Sequence, residues 1–385
     1  MRSPARRRAT DRATTIEQLV AAKEIVVTCG SGGVGKTTTA AALGTMAAEV
    51  IGGRVLVLTV DPARRLANAM GLEAFGNAET LVETTLRGEL WAAMLDTKAS
   101  WDDLVRRHAP DARTRDAILA NPLYQNITGK FVQSHDYIAM ERLYELHASG
   151  TWDLIVVDTP PTRNALDFLE APERMADFFS SRLLRWLLVP YRSRIVNAAS
   201  RPFYQVADRI LGSAFLQDIA DFFILFQSMY DGFVERARAV ERVLEDRRTT
   251  LVVVSSLERA PVQEAEFFVD ALAERSLHLG ALVLNKVLPD SLLDPGAGVA
   301  ARRLCEDPAA VAAALPPEAG PPTIVEHVLR EVGQSYLNFS VVAAREAATR
   351  AELGVAPEVV ATVPYQEQDI VDLDGLRRLG TALWS

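Results

Sequence analysis

The sequence predicts an α/β fold in which a doubly wound, mostly parallel sheet carries a helical insertion. Three observations support this prediction. Short apolar runs rich in β-branched residues recur along the 385 residues, segments of helix-forming composition lie between them, and one aromatic block contains no convincing strand. Continuous apolar strands that alternate with helices are typical of a parallel sheet covered on both faces.

Seven apolar runs are predicted as strands of this sheet. In chain order they are Glu24–Cys29, Arg54–Val60, Glu89–Asp96, Trp152–Asp158, Leu251–Ser255, Ala281–Leu284 and Val359–Val363. Helices are predicted at Thr37–Val50, within Lys98–Leu146, at Val262–Arg275 and, as one helix or two, at Thr323–Glu352. The segment 295–322 is rich in Ala, Pro and Gly. Because Pro and Gly interrupt regular structure, we expect a long surface loop there, with at most one short helix.

Composition divides the chain into three parts. Residues 1–20 hold five arginines with no apolar core behind them, so we expect a disordered basic tail and not a secretory signal. Residues 21–163 and 246–385 are expected to form the sheet-based core. Residues 164–245, which contain the aromatic block, are expected to form a helical insertion subdomain. These aromatic residues fit a core packed on the sheet and a groove for a hydrophobic ligand equally well.

Charge and cysteine content narrow the function classes. The net charge of −9 argues against a dedicated nucleic-acid binder, and no nucleic-acid partner is expected. Cys29 and Cys305 are far apart and no C-x-x-C is present, so neither a disulfide framework nor a cysteine zinc site is predicted. A reducing compartment, the cytoplasm, is therefore expected. No apolar run reaches the roughly 18 residues that a membrane span needs.

The segment Gly30–Thr37 (GSGGVGKT) matches G-x-x-x-x-G-K-[ST] between a predicted strand and a predicted helix. Glycines in such a loop let backbone N–H groups point at phosphate oxygens, and the helix N-terminus adds partial positive charge. We expect Lys36 to reach the β- and γ-phosphates as a catalytic residue, and Thr37 to offer its hydroxyl to Mg²⁺. The predicted nucleotide-binding residues of the loop are Gly30, Gly32, Gly33, Val34, Gly35, Lys36, Thr37 and Thr38.

Polar residues also end other predicted strands. Asp61 follows VLVLTV, Asp158 ends LIVVD and Asn285 follows ALVL. Ligands gather at the carboxyl ends of strands in a doubly wound sheet, so we expect all three around the loop, with Asp158 in the Mg²⁺ shell. For each acid alone, the alternative is a helix cap or a turn residue. Asn285-Lys286 begins like the guanine-reading N-K-x-D, but Leu288 replaces the acid, which favours ATP.

These motifs resemble those of one ATPase family. Within Gly30–Thr37, the doubled glycine and the doubled threonine that Thr38 completes resemble the deviant Walker A motif, G-K-G-G-x-G-K-[ST]-T. The D-P-A beginning at Asp61 resembles its switch I motif. The segment Asp158–Leu169 (DTPPTRNALDFL) resembles switch II of the arsenite-pump and tail-anchored-protein targeting ATPases. The resemblance covers most of residues 23–380.

The resemblance also assigns roles to residues. Asn285 falls where the family's adenine-contacting asparagine lies, and Pro364 with the following YQEQDIVDLDGL resembles its adenine loop. Asp61 inherits the role of water activator, and Asp158 inherits indirect contact with Mg²⁺. The resemblance implies a face-to-face homodimer or heterodimer of related ATPases, which ATP closes and hydrolysis opens. In the targeting branch of the family, a helical region between strands binds hydrophobic clients. Residues 164–245 take the corresponding place in this chain.

The chain departs from the family pattern at several positions. Ser31 stands where the family has a signature lysine that reaches the partner's phosphates, and serine supplies no charge. The Gly-His that follows P-T in switch II is replaced by Arg163-Asn164, and the zinc-binding C-x-x-C is missing. Only one ATPase unit is present, whereas the arsenite enzyme is a tandem pair. Metalloid transport is therefore disfavoured.

Three functions fit the sequence. The first is an ATPase that acts on hydrophobic or membrane-associated clients. This function would allow the protein to contact a membrane peripherally. The second is a partitioning or positioning ATPase, which is disfavoured by the long aromatic insertion, the acidic charge and the weakly basic C-terminus LRRLGTALWS. The third is a nucleotide-gated subunit of a heterodimer that binds ATP but hardly hydrolyses it, as Ser31 suggests.

Overall fold

The computed structural model describes residues 13–60, 66–67, 70–72, 76–82, 85–127, 132–160, 170–171, 174, 177, 222–226, 228–354 and 357–384. Eight strands form one sheet in the order β3-β4-β2-β5-β1-β6-β7-β8. Their bounds are β1 Ile25–Cys29, β2 Arg54–Thr59, β3 Thr80–Leu81, β4 Glu89–Met94, β5 Leu154–Asp158, β6 Thr249–Ser255, β7 Leu279–Val287 and β8 Val359–Pro364. All neighbours pair in parallel except β3 and β4, which are antiparallel. The predicted fold class is confirmed.

Helices cover both faces of the sheet. Among the described residues, the helices before β6 are Ile16–Ala21, Lys36–Met46 with a π-helical turn at Ala47–Ile51, Thr97–His108, Ala112–Ala120, Pro122–Ile127, Val132–Ala148 and Tyr230–Glu245. After β6 they are Arg259–Glu274, Pro295–Glu306, Pro308–Ala313, Pro322–Glu352 and Leu373–Trp384, with 3₁₀ turns at Asp290–Leu293 and Pro317–Ala319. No described helix is both long and apolar enough to cross a membrane.

The central strands are buried because each face of the sheet has its own apolar core. In β1, Ile25 and Val27 belong to one core, and Val26 between them belongs to the other. This alternation follows from the two-residue period of a strand. The first core includes residues of Thr97–His108, and the second includes residues of Lys36–Met46. A strand buried on both faces is apolar throughout, which is why these strands were visible in the sequence.

The predicted tail, residues 1–20, extends too far toward the C-terminus. The helix Ile16–Ala21 begins within it, and the Thr15 hydroxyl caps the helix by accepting a hydrogen bond from the Gln18 N–H at 3.3 Å. Ile16, Leu19 and Val20 are buried in the second core. Apolar contacts therefore order these residues. Residues 1–12 lie outside the described residues.

The prediction of a long loop at 295–322 is wrong. Two helices, Pro295–Glu306 and Pro308–Ala313, occupy most of it. Each follows an aspartate that caps it: Asp294 accepts from the Gly296 N–H at 2.6 Å, and Asp307 accepts from the Ala310 N–H at 3.2 Å. Proline is favoured at the first helical position, where its missing N–H has no partner to lose. The two Asp-Pro pairs indicate helix starts in the sequence, whereas the overall composition of the segment does not.

The described part of 164–245 includes Phe222–Phe226 and the helix Tyr230–Glu245. Phe222, Phe226 and Phe233 are buried in the first core. The ring centroids of Phe226 and Phe233 lie 5.1 Å apart, and those of Phe226 and Trp101 lie 6.0 Å apart. These aromatic side chains form core and do not line a groove. Residues 178–221 lie outside the described residues.

Candidate functional site

The glycine loop joins β1 to the helix Lys36–Met46 at the carboxyl edge of the sheet. Gly30, Gly33 and Gly35 have φ angles of +152°, +81° and +99°. A Cβ at Gly30 would lie 2.1 Å from the Val254 carbonyl oxygen, and one at Gly35 would lie 2.3 Å from Asn285 Nδ2. Any larger residue at Gly30 or Gly35 would therefore collide with the neighbouring strands. Local geometry and close packing together require these glycines.

The Lys36 side chain turns back over the loop. Lys36 is 8% exposed, and its ammonium group donates to the Ser31 carbonyl oxygen at 3.0 Å. Thr37 and Thr38 follow on the helix and are half-buried, whereas Gly32 and Gly33 are exposed. The loop thus places one buried cation beside backbone N–H groups at a helix N-terminus. This combination favours an anionic ligand.

Asp158 ties the loop to two strands. It ends β5, is fully buried, and its Oδ2 accepts hydrogen bonds from the Thr37 hydroxyl at 2.7 Å and the Thr59 hydroxyl at 3.1 Å. Thr59 ends β2, so the carboxylate joins the helix Lys36–Met46, β2 and β5. A hydroxyl and a carboxylate placed together are oxygen ligands of the kind that Mg²⁺ prefers. The donor set at Thr37 and Asp158 therefore fits a magnesium ion.

Asn285 lies at the same edge, near the end of β7. It is 7% exposed, and its Nδ2 donates to the Val34 carbonyl oxygen at 2.7 Å. The next residue, Lys286, donates from Nζ to the Gly33 carbonyl oxygen at 2.8 Å. Lys286 was missed as a site residue. The N-K doublet marks its position in the sequence, but N-K-x-D, whose acid is replaced by Leu288, concerns the base and predicts no contact with the loop.

Pro364 ends β8 beside the same site. It is in register with Val287, and the Tyr365 N–H donates to the Val287 carbonyl oxygen at 2.9 Å. The structure therefore brings the loop, Asp158, Asn285 and Pro364 to one edge of the sheet. Asp61 and the rest of switch I lie outside the described residues, as do residues 161–169 of switch II.

Cys29 immediately precedes the loop and is fully buried. Burial raises the pKa of its thiol to about 12, although a hydrogen bond with Thr159 and the charge of Lys36 act in the opposite direction. The thiol is therefore neutral at physiological pH. A neutral, buried thiol is neither a nucleophile nor a metal ligand, so Cys29 packs the end of β1.

A second group of potential metal ligands lies in the helical layer, at His108, Glu141 and Glu145. Arginines already neutralise both carboxylates. Arg236 Nε lies 2.6 Å from Glu141 Oε1, and Arg107 Nη1 lies 2.5 Å from Glu145 Oε1. A further cation would meet these guanidinium groups, so the arrangement favours ion pairing over metal binding.

Comparison with known proteins places this chain in a family. A family model described as anion-transporting ATPase matches residues 23–308, more than half of the chain. An uncharacterized protein of Streptomyces coelicolor is 32% identical over 264 residues, which are 68% of this chain and 62% of that protein. The chain therefore spans less than two thirds of that relative.

Two further relatives carry functional names. The putative arsenical pump-driving ATPase 2 of Aquifex aeolicus is 24% identical over 274 residues, covering 69% of this chain and 80% of that protein. The ATPase GET3 of Malassezia globosa is 26% identical over 259 residues, covering 67% and 71%. The family resemblance carried by the loop and switch motifs is confirmed, and the chain belongs to the anion-transporting ATPase family.

Proposed function

We propose that this chain binds and hydrolyses ATP with Mg²⁺, and couples its nucleotide state to a related ATPase chain and a hydrophobic client. One observation carries the proposal. Lys36, Thr37 and Asp158 converge under a glycine loop at the carboxyl edge of a parallel sheet, with Thr37 and Asp158 in direct hydrogen bonding at 2.7 Å. Three side chains that phosphoryl transfer requires are thereby grouped at one loop.

Phosphoryl transfer depends mainly on positioning and charge stabilisation. In the proposed complex, the loop N–H groups and the Lys36 ammonium bind the β- and γ-phosphates and stabilise negative charge on the leaving ADP. Thr37 would hold Mg²⁺ through its hydroxyl, and Asp158 would hold it indirectly. When bound, the ion offsets phosphate charge. Asn285 and Pro364 flank the loop on its β7–β8 side, which is consistent with an adenine pocket there.

Asp61 is proposed to position the attacking water, on the resemblance of its D-P-A motif. The preceding residue supports this placement, since the Val60 N–H donates to the Asp158 carbonyl oxygen at 3.1 Å. The chain therefore leaves β2 next to the proposed metal-holding residue. In the reaction, the water oxygen bonds to the γ-phosphorus as the bond to ADP breaks, and Asp61 accepts the water proton.

Asp61→Asn is expected to preserve ATP binding and to slow turnover by about 10²- to 10⁴-fold, because the amide has nearly the same shape but cannot accept the proton. Fluorescent-nucleotide titration measures binding, and phosphate release measures turnover. Asp116→Asn, at an exposed carboxylate, is the matched control and should change neither quantity. Loss of binding together with turnover in Asp61→Asn would contradict the assignment.

Ser31 bears on the proposed assembly. Its hydroxyl is buried and has no hydrogen-bond partner among the described residues. Ser31 is part of the loop and its carbonyl oxygen accepts the hydrogen bond from Lys36, yet its side chain adds no charge. A homodimer of this chain would lack the signature lysine in both halves, whereas a related chain that keeps the lysine would complete this site. The proposal therefore favours a heterodimer. Without its partner, this chain is expected to hydrolyse ATP slowly.

The purified chain is expected to bind MgATP but to turn it over slowly until a lysine-bearing family member from the same organism is added. The added lysine would supply the positive charge that Ser31 lacks. Phosphate release with and without the second chain measures the effect, and analytical ultracentrifugation with ATP follows complex formation. Rapid hydrolysis by the isolated chain, unchanged on addition of the relative, would rule out the heterodimer. The client part of the proposal rests on the family resemblance.

A further inference from the structure

Two consecutive side chains at the end of β7 bind the same loop. Asn285 donates to the carbonyl oxygen of Val34, and Lys286 donates to that of Gly33, at 2.7 and 2.8 Å. In a regular strand, consecutive side chains point to opposite faces, so only one of the two could reach the loop. The strand must therefore be irregular at this point.

The irregularity is visible in the pairing of β7 with β8. Leu284 is in register with Thr362 and Val287 with Pro364, so β7 uses one residue more than β8 between these pairs. Lys286 has a φ of +62°, in the left-handed region, and its N–H donates to Asn285 Oδ1 at 2.9 Å. A bulge of this kind bends a strand and redirects a side chain. Here it turns Lys286 toward the loop that Asn285 already contacts.

The two carbonyl groups that accept these hydrogen bonds determine the direction of the neighbouring backbone N–H groups in the loop. In a planar trans peptide, the C=O of one residue and the N–H of the next point in opposite directions. Holding the Gly33 and Val34 carbonyl oxygens against β7 therefore directs the N–H groups of Val34 and Gly35 away from β7. These two N–H groups belong to the predicted phosphate-binding segment.

We propose that Asn285 and Lys286 are positioning residues that preorganise the loop for a triphosphate group. The inference rests on the proposed function and deepens it. Lys286 serves phosphate binding without touching phosphate, because its charge-assisted bond to Gly33 holds a glycine loop that is otherwise free to adopt other backbone conformations. A site held in its binding conformation before the ligand arrives loses less entropy on binding. Lys286 thus acts on the phosphates and not on the base, whereas Asn285 can hold the loop and also line the proposed adenine pocket.

The test uses Lys286→Asn in the full chain. Asparagine tolerates a left-handed backbone but is too short to bond to Gly33 O. The dissociation constants for MgATP and for magnesium tripolyphosphate are expected to rise by the same factor, about tenfold, as for loss of one charge-assisted hydrogen bond. Isothermal titration calorimetry measures both constants. Lys286→Arg, which keeps a cationic donor, should recover most of the affinity.

Ser276→Asn is the matched control. Ser276 has a φ of +57° and precedes the opposite end of β7, and it is the other described non-glycine residue with positive φ. It should leave both constants unchanged. In an Asn285→Ala background, Lys286→Asn should have a smaller effect than in the native chain, because the two bonds hold one loop together.

The outcomes separate the inference from the function on which it rests. If the native chain binds neither MgATP nor tripolyphosphate, both fall. If the native chain binds both ligands and Lys286→Asn binds tripolyphosphate equally tightly, the positioning role is wrong and the ATPase proposal stands. Weakened ATP binding alone would indicate a contact with the base, and equal losses in Lys286→Asn and Ser276→Asn would indicate general backbone strain. Either of those results also overturns the inference.

Discussion

Lys36→Ala is expected to lower ATP turnover at least about 10³-fold, with nucleotide binding weakened as well. The ammonium group lies within the loop, 3.0 Å from the Ser31 carbonyl oxygen, and alanine leaves no cation in its place. Removing one group that stabilises transition-state charge in a buried site typically costs 10²- to 10³-fold, and a cation at a transferring phosphoryl group contributes 10³- to 10⁵-fold. Phosphate release at saturating MgATP measures the loss.

Lys98→Ala supplies the control for Lys36→Ala. Lys98 pairs with Asp102 at 3.0 Å on an exposed helix face, so it tests whether removal of any lysine affects turnover. Its loss should leave activity intact, because exposed pairs contribute little to stability. Lys36→Ala should also stay folded, since alanine favours the helix that begins there. Unchanged turnover in a folded Lys36→Ala protein would refute the site.

Replacing Phe222 and Phe226 together with serine is expected to unfold the protein. Their ring centroids lie 4.9 Å apart, and both side chains are buried in the core on one face of the sheet. Each loss of a buried phenylalanine costs about 3–5 kcal/mol, and a buried serine hydroxyl adds a desolvation cost. Two such losses approach the whole stability of a typical protein, about 5–15 kcal/mol. Urea denaturation followed by circular dichroism measures the change.

Phe267→Ser is the matched control for this pair. Phe267 is 66% exposed on the helix Arg259–Glu274, so its replacement should change stability by about 0.5 kcal/mol or less. Phe226→Leu keeps most of the buried apolar volume and should fall between the control and the double variant. A double variant with native stability that had lost affinity for a hydrophobic peptide would show that Phe222 and Phe226 line a groove after all.

The buried parallel strands could be predicted because burial on both faces makes them apolar throughout. The two-residue strand Thr80–Leu81 could not, because two residues carry no pattern and antiparallel pairing with β4 defines it. The Asp-Pro helices at 295–313 were missed for a different reason. Their overall composition is typical of loops, while only the capping residue in front of each proline indicates a helix.

The residues of the candidate site also differ in how well the sequence predicts them. Lys36, Thr37 and Asp158 lie in motifs whose spacing reflects a fixed mechanism, so their assembly could be predicted. Lys286 could not, because its direction depends on a bulge in the pairing between β7 and β8. The aromatic residues of 222–233 needed the structure as well, since composition alone does not distinguish a packed core from an open groove.

Pro364 also affects how the edge of the sheet can pair with other molecules, because it lies on β8. Among the described strands, β8 is the last in the sheet, and its outer edge pairs with no other strand. Val360, on this strand, is 50% exposed. An edge strand with exposed apolar residues can recruit a strand from another molecule, and proline interrupts such pairing because it has no N–H to donate. Pro364 therefore limits the length over which two copies of this chain could join edge to edge and aggregate.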